Sequence, residues 1–336
     1  MNALQTSKTL FCIIITVFAA LQATSQTTPN LTKDYGLFGY PSVVRYMKFE
    51  TDTADNPKIQ RTAFIDDYQL TFNERRELLK RTNFINGTAD RQIILDYDNK
   101  RHLVKETLQE ADGKIVSVTD YKYGYIGRVS QITITEYPDS RAGANTLVYK
   151  ETYDYNKKGQ LETKTIYNNG SDTSKQTKYY YGPADSLIYT ISTYGNNKNV
   201  EKVSFKRDFK HDVIEMLLVR NDKQARREEY DLNKQGQCVT KRVYNGKNKL
   251  ILTYSYQYDQ HGNLTAEVGV DDKGIKAIEF YYKYEKDKFF NWTKRTMYDS
   301  WNPKYVETRT IEYIDKEHFY DDMKDEDRGR VVKDNR

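Results

Sequence analysis

The stretch YDQHGNLT, residues 258–265, strings together an aromatic, an acidic turn residue, a glycine and a leucine. Weaker copies stand at YNKKGQLE (155–162), YGYIGRVS (123–130) and YDNKRHLV (97–104). Aligned on the apolar residue that closes the phrase, the series runs Leu78, Leu103, Val129, Leu161, Leu187, Val213, Cys238, Leu264 and Trp292. Most steps are about 26 residues, and a steady period of that size marks a repeat architecture. Six positions before the anchor stands an aromatic in Phe72, Tyr97, Tyr123, Tyr155, Tyr181 and Tyr258. Arg207 and Leu232 break that rule, and the last copy is stretched, with Tyr284 eight before Trp292.

Each unit reads as two strands. In LTYSYQYD (252–259), Leu252, Tyr254, Tyr256 and Tyr258 alternate with Thr253, Ser255, Gln257 and Asp259. After the turn, Leu264, Ala266 and Val268 alternate with Thr265 and Glu267. A period of two puts successive side chains on opposite faces of a strand. The link DQHG has the Asp and Gly that hairpins favour. A second set of turns, among them EADG (110–113), NNGSDTS (168–174), GNNKN (195–199) and DDKG (271–274), joins one unit to the next. The expected fold is therefore all-β, an antiparallel meander of about nine strand–turn–strand units with its two turn sets on opposite edges. About eighteen strands exceed the ~10 that an open sheet carries without curling. A flat sheet would also leave the tyrosine face wet. The sheet is expected to roll or coil on itself, Tyr/Leu face inward.

The phrase Tyr258-Asp259-Gln260-His261-Gly262-Asn263-Leu264-Thr265 resembles the bacterial YD repeat, or Rhs repeat, with signature Y-D-x-x-G-x-L-T. Tyr123…Gly127-Arg128-Val129 and Tyr155…Gly159-Gln160-Leu161 are close variants, and the resemblance covers roughly residues 68–298. It implies long β-sheets of the kind that coil into shells around toxin domains or form cell-surface adhesion parts, often carbohydrate-binding. This chain has far fewer repeats than the large shells and lacks a shell-closing core segment and a toxin domain, so the resemblance bears on fold more than on toxin delivery.

The ends read differently from the middle. Lys8, the apolar run LFCIIITVFAAL (10–21) and ATS (23–25) read as a secretory signal peptide over residues 1–25, too short for a membrane span. Residues 26–42 read as a linker with a first strand near SVVRYMKFE (42–50), 43–316 as the repeat domain and 317–336 as a charged tail. The chain is expected to be exported, to the periplasm, the outer-membrane surface or the extracellular space. After cleavage Cys238 is the one remaining cysteine, so no internal disulfide is expected. The formal charge is +5 with 30% charged residues of both signs, a solvated surface and not a nucleic-acid stripe. The 30 tyrosines stand out; each pairs an apolar body with a hydroxyl that wants a partner.

No catalytic constellation emerges. His102, His211 and His261 fall in or beside the repeated turn and read as exposed polar residues, not a metal row, because convergent ligands must lie within about 2 Å of one ion. Cys238 holds an anchor position and reads as a structural thiol. No metal, cofactor or catalytic residue is assigned. Trp301 and Tyr298, in the loop YDSWNPK (298–304), are the candidate ligand-binding residues, because exposed aromatics stack on sugar rings and the long-loop edge is the more variable one. The function expected is a non-catalytic scaffold that binds a glycan or a cell-surface protein at the bacterial envelope, with self-association open to it. The competing readings are a glycan-active hydrolase with carboxylates on the loop edge and a shell or assembly component.

Overall fold

The computed structural model describes residues 32–51, 64–138, 146–168, 172–195, 199–300 and 302–314. The signal-peptide reading over 1–25, the charged tail over 317–336 and Trp301 all lie outside the described residues. A single 3-10 turn, Thr32–Tyr35, precedes twenty antiparallel strands, numbered here β1 (Pro41–Glu50) to β20 (Asn302–Tyr313) in chain order. Every strand pairs with its sequence neighbours, and β1 pairs with both β2 and β20. The meander is therefore a closed barrel, with no edge strand among the described residues. The expectation of about eighteen strands on a rolled repeat sheet is corrected: β1 and β20 flank the repeat and complete a ring.

The repeat phrase explains the local geometry. In seven of the tight turns the Asn or Asp after the aromatic position accepts, through one side-chain oxygen, the N–H groups two and four residues on: Asn73, Asp98, Asn156, Asp208, Asn233, Asp259 and Asp287. That is the Asx turn these residues favour. Three residues on, the backbone is left-handed in every copy, which is why Gly recurs there, as at Gly262 (φ 83°).

The aromatic of each unit is a staple. The hydroxyls of Tyr97, Tyr123, Tyr155, Tyr181, Tyr258 and Tyr284 donate to the anchor carbonyls of the preceding unit, Leu78, Leu103, Val129, Leu161, Cys238 and Leu264, at 2.7–2.9 Å. Each bond ties one hairpin to the one before it, along the inner wall of the tight-turn rim.

Anchors and alternating tyrosines face inward. Leu78, Leu103, Val129, Leu161, Leu187 and Val213 are buried, while Cys238 and Leu264 are half-buried because both line a cavity. Between β2 and β9 the lumen is packed with Leu70, Phe72, Leu95, Leu103, Tyr121 and Tyr153. Leu37 joins this core from the strap before β1, which crosses the tight-turn rim: Thr32 N–H bonds the Arg76 carbonyl and Asn291 brackets Phe38 with two bonds. A smaller cluster of Leu187, Phe205, Val213 and Met216 adjoins it through Tyr179.

The outward faces carry many charged and polar side chains at mid-strand, interspersed with apolar ones such as Ile94, Val118 and Val268. Register pairs Lys105 with Asp120, Thr152 with Gln131, Arg242 with Glu229 and with Thr253, and Lys283 with Thr296. No helix among the described residues is long and apolar enough to cross a membrane.

Candidate functional site

The packed half of the lumen gives way, on the β12–β20 side, to a cavity of about 990 Å³. Strand register assembles its wall. Tyr230 stands beside Lys241 and Lys241 beside Tyr254; Tyr256 stands beside Glu267; Tyr284 beside Arg295, Arg295 beside Glu307, and Glu307 beside Lys48. Seven tyrosines line the space. At one end the lining includes His211, Asp212, Gln235, Gly236 and Gln237, residues of two tight turns, so the cavity reaches that rim.

Two of the inward carboxylates are matched with cations. Glu228, fully buried, lies 2.5 Å from Arg226 and 3.4 Å from Lys241 and accepts the Tyr230 hydroxyl at 2.6 Å. Glu307 pairs with Arg295, lies 3.7 Å from Lys48 and accepts the Tyr46 hydroxyl at 3.0 Å. Burial alone would raise its pKa, but Arg295, Lys48 and Tyr46 together hold it below the ordinary value. Glu267 differs: no hydrogen bond or ion pair reaches it among the described residues, and burial raises its pKa against the pull of Lys241. The hydroxyls of Tyr256 and Tyr282 likewise meet no hydrogen-bonding side chain there, and burial raises both. Burial also pushes the Cys238 thiol up to about 11, so at neutral pH it is mostly protonated and is alkylated slowly. The lumen thus offers flat aromatic faces beside unspent polar groups, the pattern that grips a polar ligand with ring faces.

Tyr298 lies elsewhere. Its register partner Tyr281 alternates with the lumenal Tyr282, so Tyr298 is on the outer wall, with the Lys283 ammonium 4.9 Å from its ring centroid. Trp301 lies outside the described residues, and Tyr298 does not face the lumen. The most exposed aromatics among the described residues are instead Tyr125 and Phe209, 98% and 87% exposed, both on tight-turn tips. Phe209 escaped the sequence reading because the Asp and His of DFKHD (208–212) fit the turn chemistry; the phenylalanine between them was the available signal. His102 stacks on Tyr123 and meets Asp98 at 3.1 Å, and no group of His, Cys, Asp or Glu among the described residues is placed to hold a metal.

No protein-family model matches the sequence, and no curated protein matches it. Among solved structures the chain is similar to a porin-like protein from Bacteroides uniformis, at 10% identity and a TM-score of 0.33, over 81% of this chain and 98% of that one. A porin-like protein from Bacteroides vulgatus matches at 13% identity and a TM-score of 0.28, over 71% and 98%. The complex TcdB2-TccC3-Cdc42 matches at 11% identity and a TM-score of 0.28, over 80% of this chain but 19% of that one. Values this low carry no argument about function.

Proposed function

We propose that this chain is an exported, YD-repeat-like β-barrel that stands in water at the cell envelope and binds a glycan in its lumen. The observation that carries the reading is the tyrosine-lined cavity of about 990 Å³ with its unspent hydroxyls and the unpaired Glu267. Sugars present apolar faces to aromatic rings and hydroxyls to carboxylates, and barrels of sufficient size enclose such ligands. Against a lipid setting stand Lys105, Arg242 and Lys283 on the outer wall; each Lys or Arg near a bilayer midplane costs about 2–4 kcal/mol. The closed ring also removes the strand edges that assembly by edge pairing would use.

The test is a glycan-array screen of the mature chain followed by calorimetry on the best ligand. Tyr256→Ala should weaken binding about tenfold, the loss of one good stacking partner. Tyr298→Ala should leave it unchanged. The reverse pattern returns the site to the outer loop edge. A second reading, hydrolysis of the bound glycan, has one observation in its favour: Glu228 and Glu267 face one cavity in contrasting surroundings, as acid and partner do in glycosidases. Reducing-end release that vanishes in Glu267→Gln would establish it.

A further inference from the structure

The two positions where the repeat loses its aromatic, Arg207 and Leu232, both line the cavity. Arg207 keeps a longer form of the tie: its Nε donates to the Leu187 carbonyl at 3.3 Å. Leu232 has no donor, so no side chain from that position reaches the Val213 carbonyl. A second kind of tie links neighbouring turns, from the residue just before the anchor to the next turn. Arg128 donates to the Gly159 carbonyl, Gln160 to Asp185 at 3.1 Å, and Gln237 to Gly262 at 3.2 Å. The corresponding residue of the turn 208–212 is Asp212, which has only acceptors. Between the turns 208–212 and 233–237, then, both ties are missing together, and these same turns form the rim that the cavity reaches.

We propose that the gap between these two turns is the port of the lumen, and that the glycan enters it end first. The inference rests on the lumenal binding reading above. The exposed ring of Phe209 stands on one lip, where it offers a first stacking face. Elsewhere the rim is tied or strapped. Six tyrosine staples and the Arg207 tie hold the other hairpins, and the segment from Thr32 to Phe38 crosses the rim above the packed half. A narrow slot between two hairpin tips admits a chain end and excludes a folded protein, so of the two partner classes the geometry takes the glycan.

The port can be closed by writing the repeat back in. Leu232→Tyr restores the staple to Val213, and Asp212→Gln restores the clasp to Gly236. Cys238 lines the cavity and provides a readout that needs no glycan. In the full chain, alkylation of Cys238 by N-ethylmaleimide, followed by peptide mass spectrometry, should slow at least tenfold in either variant, with the melting temperature unchanged or raised. Gln160→Ala, which cuts a clasp away from the cavity, should leave the rate as it is. Equal rates in wild type, Leu232→Tyr and Asp212→Gln overturn the port, as does a wild-type rate no faster than global unfolding allows. With a glycan in hand, both variants should lower its association rate by the same factor. A wild-type chain that binds no glycan defeats the lumenal reading, while the Cys238 rates still decide the port.

Discussion

Glu307 shows how a single charged residue is tolerated inside this barrel. It is 7% exposed, and Arg295, Lys48 and the Tyr46 hydroxyl converge on it. Removing one partner of such a group strands the others, so Glu307→Ala should cost about 3–5 kcal/mol by denaturant titration. Its depressed pKa fixes the sign with pH. The stabilisation is complete above the ordinary value of 4.5 and is lost as pH falls through the lower folded-state value. Glu267 acts the other way: its raised pKa means that ionising it costs stability, which is highest below 4.5 and declines as pH rises through the folded-state value. Melting curves between pH 7 and 3 should therefore fall less steeply for Glu307→Gln and more steeply for Glu267→Gln than for wild type. Among the anchors, Leu103→Ala in the packed half should cost about 2–5 kcal/mol. Leu264→Ala, which faces open space, should cost clearly less.

At the scale of the element, the phrase YDxxGxL is a set of instructions for one hairpin. The tyrosine ties it to its predecessor, the Asp closes its turn, the Gly takes the left-handed backbone and the Leu enters the core. Tyr258→Phe deletes the bond to the Cys238 carbonyl and should cost about 0.5–1.5 kcal/mol. Gly262→Ala should cost about 1–2 kcal/mol, because an L side chain resists φ of +83° and its Cβ would stand 3.0 Å from Gln237. Both are read from urea unfolding midpoints. The strands and the two turn sets were legible because a period of two and a period of about 26 residues are local signals. The inward face was legible before each turn but not after it: a bulge between Gln257 and Tyr258 shifts the phase, so that Glu267, and not Ala266 or Val268, faces the lumen beside Tyr256. Closure was not legible, since nothing in Val44 or Ile311 says that they will pair across the whole chain. The lumenal wall was legible only in part. Tyr256 and Tyr258 announced themselves by alternation, but Glu228 and Lys241 come from strands whose charged residues fall on both faces. Phe209 was hidden by a turn that looks like all the others.

For the whole molecule, the polarity of the outer wall is the decisive property. The mature chain should remain in the aqueous phase in detergent phase separation and stay monodisperse in gel filtration without detergent; partition into the detergent phase would place it in lipid after all. The ring is built almost wholly from neighbours along the chain, with one exception. Pairing β1 with β20 joins residues such as Tyr46 and Arg309 across nearly the full length of the protein, and Asn291 with Phe38 adds a latch beside that seam. β20 is made after the other nineteen strands, which must wait with β1 lacking one of its two neighbours. That wait is the hazard in the life of this protein: an unzipped seam is a template for a second chain. Hairpins can form fast, because their contacts are local, while the seam pays the entropy of a long loop and closes slowly. Refolding monitored by hydrogen exchange should therefore protect the amides of the repeat hairpins first and those facing the seam last, and a chain ending before residue 302 should keep its hairpins yet associate in a concentration-dependent way.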